Sequence, residues 1–107
     1  MISIKPVFIE DIPFTAIRVE LPKTNLLIVS NDTGYIMCGA LDVDLLSEKL
    51  ADRKVIAARA VGVKTIEQLL EAPLEKVTNA SREKGWQEGM TGKEALLKIA
   101  DLDERKK

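Results

Sequence analysis

The stretch Leu26-Leu27-Ile28-Val29-Ser30-Asn31-Asp32-Thr33-Gly34-Tyr35-Ile36-Met37-Cys38-Gly39-Ala40 decides the fold. Two apolar runs flank Asn31-Asp32-Thr33-Gly34, a turn signal in which Asn and Asp bond their own backbone and Gly supplies positive φ. The spacing predicts two strands, over 26–30 and 35–40. Neither strand alternates apolar with polar. Leu26 and Ile28 point to one side and Leu27 and Val29 to the other, and Ile36 and Cys38 oppose Tyr35 and Met37. A sheet with one wet face alternates, so this ribbon is apolar on both sides.

Toward the N-terminus the same reading continues. Residues 2–9 predict a strand, and Pro6, which has no N–H for a ladder, places it at a sheet edge or a bulge. It carries Ile4 and Phe8 on one side and Val7 and Ile9 on the other. Glu10-Asp11-Ile12-Pro13 is expected to turn the chain into a strand over 14–21. That strand sets Thr15, Ile17, Val19 and Leu21 on one face and Arg18 and Glu20 on the other. Pro22-Lys23-Thr24-Asn25 turns it back. Short turns between consecutive strands make an antiparallel meander.

Toward the C-terminus the period changes to that of helices. Asp42 is a good N-cap for a helix over 42–52, with Leu45, Leu46 and Leu50 as its apolar stripe. Residues 55–63, β-branched and small, predict a fifth strand. Thr65-x-x-Gln68 is a capping box for a short helix. Pro73 suits the first turn of a helix running to about Lys84 with Leu74 and Val77 inward, stopped by Gly85. Thr91-x-x-Glu94 opens a last helix on Ala95, Leu96, Ile99 and Leu102. The order is ββββαβααα. It describes an α+β, two-layer single domain over 1–107, with a β-rich part (1–40) and a helical part (41–104) holding the fifth strand. Strand four, helix and strand five form a βαβ unit with a right-handed crossover and parallel strands.

Helices can cover one face of this sheet. A second copy of the chain is the simplest cover for the other, each large side chain so hidden contributing roughly 1.5–3 kcal/mol. Closure of the strands into a small barrel is the alternative. Composition narrows the chemistry. The 107 residues hold 16 Lys and Arg against 17 Asp and Glu, no histidine and one cysteine. A net charge of −1 gives no field for nucleic acid or an acidic membrane. Without histidine, the common general base and metal ligand are missing, and Ser-His or Cys-His catalysis is excluded. One cysteine allows no internal disulfide. No apolar run reaches membrane-spanning length and no leader pattern opens the chain, so the expected location is the cytoplasm.

The runs Pro22 to Leu50, Ala58 to Thr78 and Gly89 to Leu102 closely resemble the YunC-like family. Within them, Gly34 to Asp42 and Ala60 to Glu75 are the specific strings, and the likeness covers about residues 5–100. The resemblance implies a domain of unknown function whose N-terminal β region mediates tetramerisation. It carries no catalytic residue to transfer.

The meander also locates a candidate site. Strands two and four run the same way, so Lys23, Thr24 and Asn25 lie at the same sheet end as Cys38, Gly39 and Asp42. A parallel fifth strand brings Lys64 and Thr65 to that end. Strand ends and helix N-termini of this kind suit a small anion, with Lys23, Thr24, Asn25, Gly39, Arg59, Lys64 and Thr65 as ligand-binding candidates. Each has a plainer role as turn, cap or solvated side chain. An enzyme using Cys38 as nucleophile, or Asp42 and a lysine as base and acid, is the alternative; no cofactor or metal is implied. Cys38 is otherwise a small buried hydrophobe, Asp42 a helix cap, and Trp86 a packing plug for the last helices. Gly89-Met90-Thr91-Gly92-Lys93 lacks the phosphate-loop spacing. From Arg82 onward, seven basic residues meet six acidic ones, which sets nucleic-acid binding last among the readings.

Overall fold

The computed structural model describes residues 2–22, 24–39 and 55–105. The expected helix over 42–52, with Asp42, lies outside the described residues, as does Lys23. The meander forms as expected: β1 (Ile2–Ile9), β2 (Ile12–Leu21), β3 (Thr24–Ser30) and β4 (Gly34–Met37) pair antiparallel in turn. β5 (Ile56–Arg59) runs parallel to β4. β1, the Pro6 strand, is at the edge of one open six-stranded sheet, so the described strands do not close into a barrel.

The turn between β1 and β2 is tighter than expected. Ile9 pairs with Ile12, leaving only Glu10 and Asp11 between the strands, and both have positive φ, 50° and 68°. A two-residue hairpin needs this left-handed geometry to match strand twist, and Gly adopts it at least cost. Asp11→Gly is expected to raise stability by about 0.5–1 kcal/mol, seen as a higher urea midpoint at unchanged slope. The β3–β4 hairpin uses the Asn31 side chain, whose Oδ1 accepts the Thr33 and Gly34 N–H groups at 2.9 and 3.1 Å.

One expectation is corrected. The segment after Pro73 does not form a helix to Lys84; Lys76–Val77 is a short strand, β6, antiparallel to β5, and the helix α2 spans only Asn79–Glu83. Sheet pairing overrides helix propensity here. The Glu75 and Thr78 N–H groups donate to the Arg59 and Ala57 carbonyls at 2.9 and 3.0 Å, bonds a helix would forfeit. Thr78 then caps α2, its Oγ1 accepting the Ser81 N–H at 3.3 Å and donating to the Val55 carbonyl at 2.6 Å. Leu74 and Val77 are buried as expected, but from an extended segment.

Both threonine caps hold, the second as a full reciprocal box. Thr65 Oγ1 accepts the Gln68 N–H at 3.1 Å at the start of α1 (Ile66–Glu71), and Gln68 Oε1 reaches back to the Lys64 N–H at 2.7 Å. Ahead of α3 (Gly92–Arg105), Thr91 and Glu94 exchange bonds: Glu94 N–H to Thr91 Oγ1 at 3.2 Å and Thr91 N–H to Glu94 Oε1 at 3.1 Å. These contacts favour the charged carboxylate and lower the Glu94 pKa, the bond from the Thr91 backbone contributing most.

Helices α1 and α3 cover one sheet face, where a row of paired positions runs Ala16, Val29, Ile36, Ala58, Val77, all buried. Gly92 lets α3 settle onto that row. A Cβ there would stand 2.5 Å from Ile36 Cδ1 and 2.6 Å from the Leu69 carbonyl oxygen, inside van der Waals contact. Trp86 closes the helical end: it is 1% exposed, and its indole N–H donates to the Ala95 carbonyl at 2.8 Å.

Candidate functional site

The two sides of the β1–β2 ribbon have opposite chemistry. On the side away from the helices, cross-strand pairing aligns Ile4, Ile17, Ile28 and Met37 in one row over four strands, and Ile2, Val19 and Leu26 in a second. Ile2, Ile4 and Phe8 are 65–67% exposed there. The doubled apolar character read from 26–40 is therefore real: Leu27, Val29, Ile36 and Cys38 are in the core, while Leu26, Ile28, Tyr35 and Met37 belong to the open face. Half-burial among these neighbours raises the Tyr35 phenol pKa by desolvation.

On the helix side the ribbon changes character along its length. Val7, Ile9, Phe14 and Ala16 pack into the core, but Ser3, Lys5, Arg18 and Glu20 continue the same face beyond it. Ser3 pairs with Arg18 and Lys5 with Ala16, so the Lys5 and Arg18 side chains are diagonal neighbours. Facing them is the start of α1. Ser3, Lys5, Ala16, Arg18, Glu20, Thr65, Ile66 and Glu67 line a groove of about 360 Å³, within the range of small-molecule sites. The Arg18 guanidinium lies 3.5 Å from Glu20.

The sequence-derived candidates are partly brought together. Asn25, Cys38 and Gly39 do meet at one sheet end: the Cys38 thiol is 3.8 Å from the Asn25 carbonyl, and Gly39 faces Val61 at the close of β5. Thr24 opens β3 opposite Leu21 at that end. Cys38 is only 7% exposed, as a small core residue rather than a presented nucleophile. Thr65 belongs to the groove, and its hydroxyl is the α1 cap. Lys64 is exposed beside it. Arg59 is elsewhere: its register partner is Met37, on the open face, and its Nη2 lies 3.0 Å from Glu75 Oε1. Gly92 and Lys93 serve packing and a long ion pair, Lys93 to Glu71 at 3.8 Å, not a phosphate loop. Among the described residues no cluster of metal-ligating side chains occurs, and no helix is long and apolar enough to cross a membrane.

Sequence reasoning missed Ser3, Lys5, Arg18, Glu20 and Glu67. A signal was present: β1 and β2 each place charged or polar residues at positions in phase with buried ones, Lys5 with Ile9 and Arg18 with Ala16. Charge at such positions marks where the helical layer stops.

The chain is thus an α+β domain of two layers, a mixed sheet half-covered by helices, with a polar groove at the end of the covered side. Its sequence matches a domain of unknown function, DUF1805, over residues 37–99. It is 61% identical over 99 residues to the uncharacterized protein YunC of Bacillus subtilis (strain 168), spanning 92% of this chain and 98% of that protein. The chain belongs to the YunC-like DUF1805 family. The fold is similar to the crystal structure of TA1206 from Thermoplasma acidophilum, a protein of unknown function, with a TM-score of 0.81, 26% identity and 92% of each chain covered.

Proposed function

We propose that this chain is a self-associating binding protein that holds a small anionic ligand in the groove between α1 and the β1–β2 ribbon. The split character of that ribbon carries the reading. Its outer rows form a broad apolar surface, and exposed patches of this kind mark association surfaces. A second copy laid face to face would cover it at ordinary sheet-packing distance, and a homotetramer, the assembly the family resemblance implies, would use the same surface. The inner rows face away from such an interface, so pairing leaves the groove open. Inside it, Lys5 supplies a cation and Ser3 a hydroxyl for an oxyanion.

Thermal shift with inorganic phosphate and acetate at low ionic strength tests the binding half, since salt screens exposed charges. Saturating phosphate is expected to raise Tm by several degrees in the unaltered protein and to lose most of that effect in Lys5→Ala, an exposed position that leaves the core intact. Equal shifts in the two proteins, or none in either, would remove the groove as an anion site.

A further inference from the structure

Four ionised side chains line the groove, two of each sign: Lys5 and Arg18 against Glu20 and Glu67. They are not equivalent. Arg18 and Glu20 sit on one strand and face each other at 3.5 Å. Lys5, on the sheet wall, and Glu67, on the helix wall, form no ion pair within 4.0 Å among the described residues. One unneutralised ammonium and one unneutralised carboxylate therefore stand on opposite walls of a space large enough for a small molecule. A simple anion gains Lys5 but meets the like charge of Glu67, and a simple amine has the reverse problem. A molecule bearing both charges satisfies both walls and leaves the groove neutral. Ser3 adds a hydroxyl to the lining.

We infer that the groove selects a small zwitterion, with an oxyanion at one end directed to Lys5 and an ammonium at the other directed to Glu67. The inference rests on the proposed anion site and adds the second charge. Neither end works through Cys38, the Thr65 cap or the buried core, so the groove can be altered without touching the fold.

Calorimetric titration at low ionic strength, with β-alanine, γ-aminobutyrate, acetate and ethylammonium as probes, tests it. In the unaltered protein one of the two amino acids is expected to bind about fivefold more tightly than acetate, the increment of one further exposed charge contact of ~1 kcal/mol. In Glu67→Gln that ratio is expected to fall to about one while acetate binding is kept or strengthened. In Lys5→Ala acetate binding is lost. Circular dichroism of both variants, matching the unaltered protein, checks the fold. If acetate binds through Lys5 but the amino acids bind no better, or Glu67→Gln leaves the ratio unchanged, the zwitterion is refuted and the anion site stands. If no probe binds the unaltered protein, both fall.

Discussion

Truncating Trp86 to alanine is expected to destabilise the domain by about 3–5 kcal/mol, the range for a large aromatic removed from a packed core. The residue is the largest fully buried side chain, and its loss opens a cavity between α3 and the segment that follows α2. The Ala95 carbonyl also loses the indole N–H that reaches it at 2.8 Å. A domain of this length has a total stability on the order of 5–15 kcal/mol, so the variant should unfold at a much lower urea midpoint and lose roughly 12 °C or more in Tm. Trp86→Phe separates the two contributions. It keeps most of the ring volume and drops the hydrogen bond, leaving only a small void, and should cost about 1–2 kcal/mol. A Trp86→Ala loss below ~1 kcal/mol would show that the helical end is not packed as described.

The second large effect concerns assembly. Ile17 stands at the middle of the row from Ile4 to Met37 on the open face, and its side chain is not part of the core cluster. Ile17→Lys should leave the monomer fold near its original stability, because the new charge points to solvent in a lone chain. In a face-to-face pair the substitution occurs twice. Each occurrence removes roughly 1.5–3 kcal/mol of apolar burial and adds a desolvated ammonium. The loss is at least ~3–6 kcal/mol per pair, two to four orders of magnitude in dissociation constant. Analytical ultracentrifugation at micromolar concentration should find an oligomer for the unaltered protein and single 11.8 kDa chains for the variant. An unaltered protein sedimenting as single chains would overturn self-association. So would a variant that stays assembled with the open face charged.

Much of the architecture was legible in local chemistry. The Asn31 turn and the Thr65 and Thr91 caps each depend on groups within a few residues of one another, and Pro6, lacking an N–H, marked the edge strand. The unalternating pattern over 26–40 likewise announced two apolar faces. The segment at 76–77 was not legible. Its extended form depends on free carbonyls of Ala57 and Arg59, some 20 residues away, and a window of sequence holds no record of an unpaired strand edge. The glycine at 92 reads locally as a helix-start residue, whereas Ile36 and the Leu69 carbonyl explain why no side chain fits there.

The candidate site divides in the same way. Sequence alone determined that histidine chemistry is absent, that the opening ribbon is greasy on both sides, and that Asn25, Cys38 and Gly39 share one end of the sheet. Those conclusions follow from residue types and strand parity. Only the tertiary structure decided that α1 stops short of Lys5 and Arg18, that Cys38 is buried, that Arg59 is engaged by Glu75 on the far face, and that Lys5 from the sheet and Glu67 from α1 line one groove. Where a helix ends over a sheet is set by the packing of distant side chains. Periodicity tells which way a residue points, but not what stands opposite it.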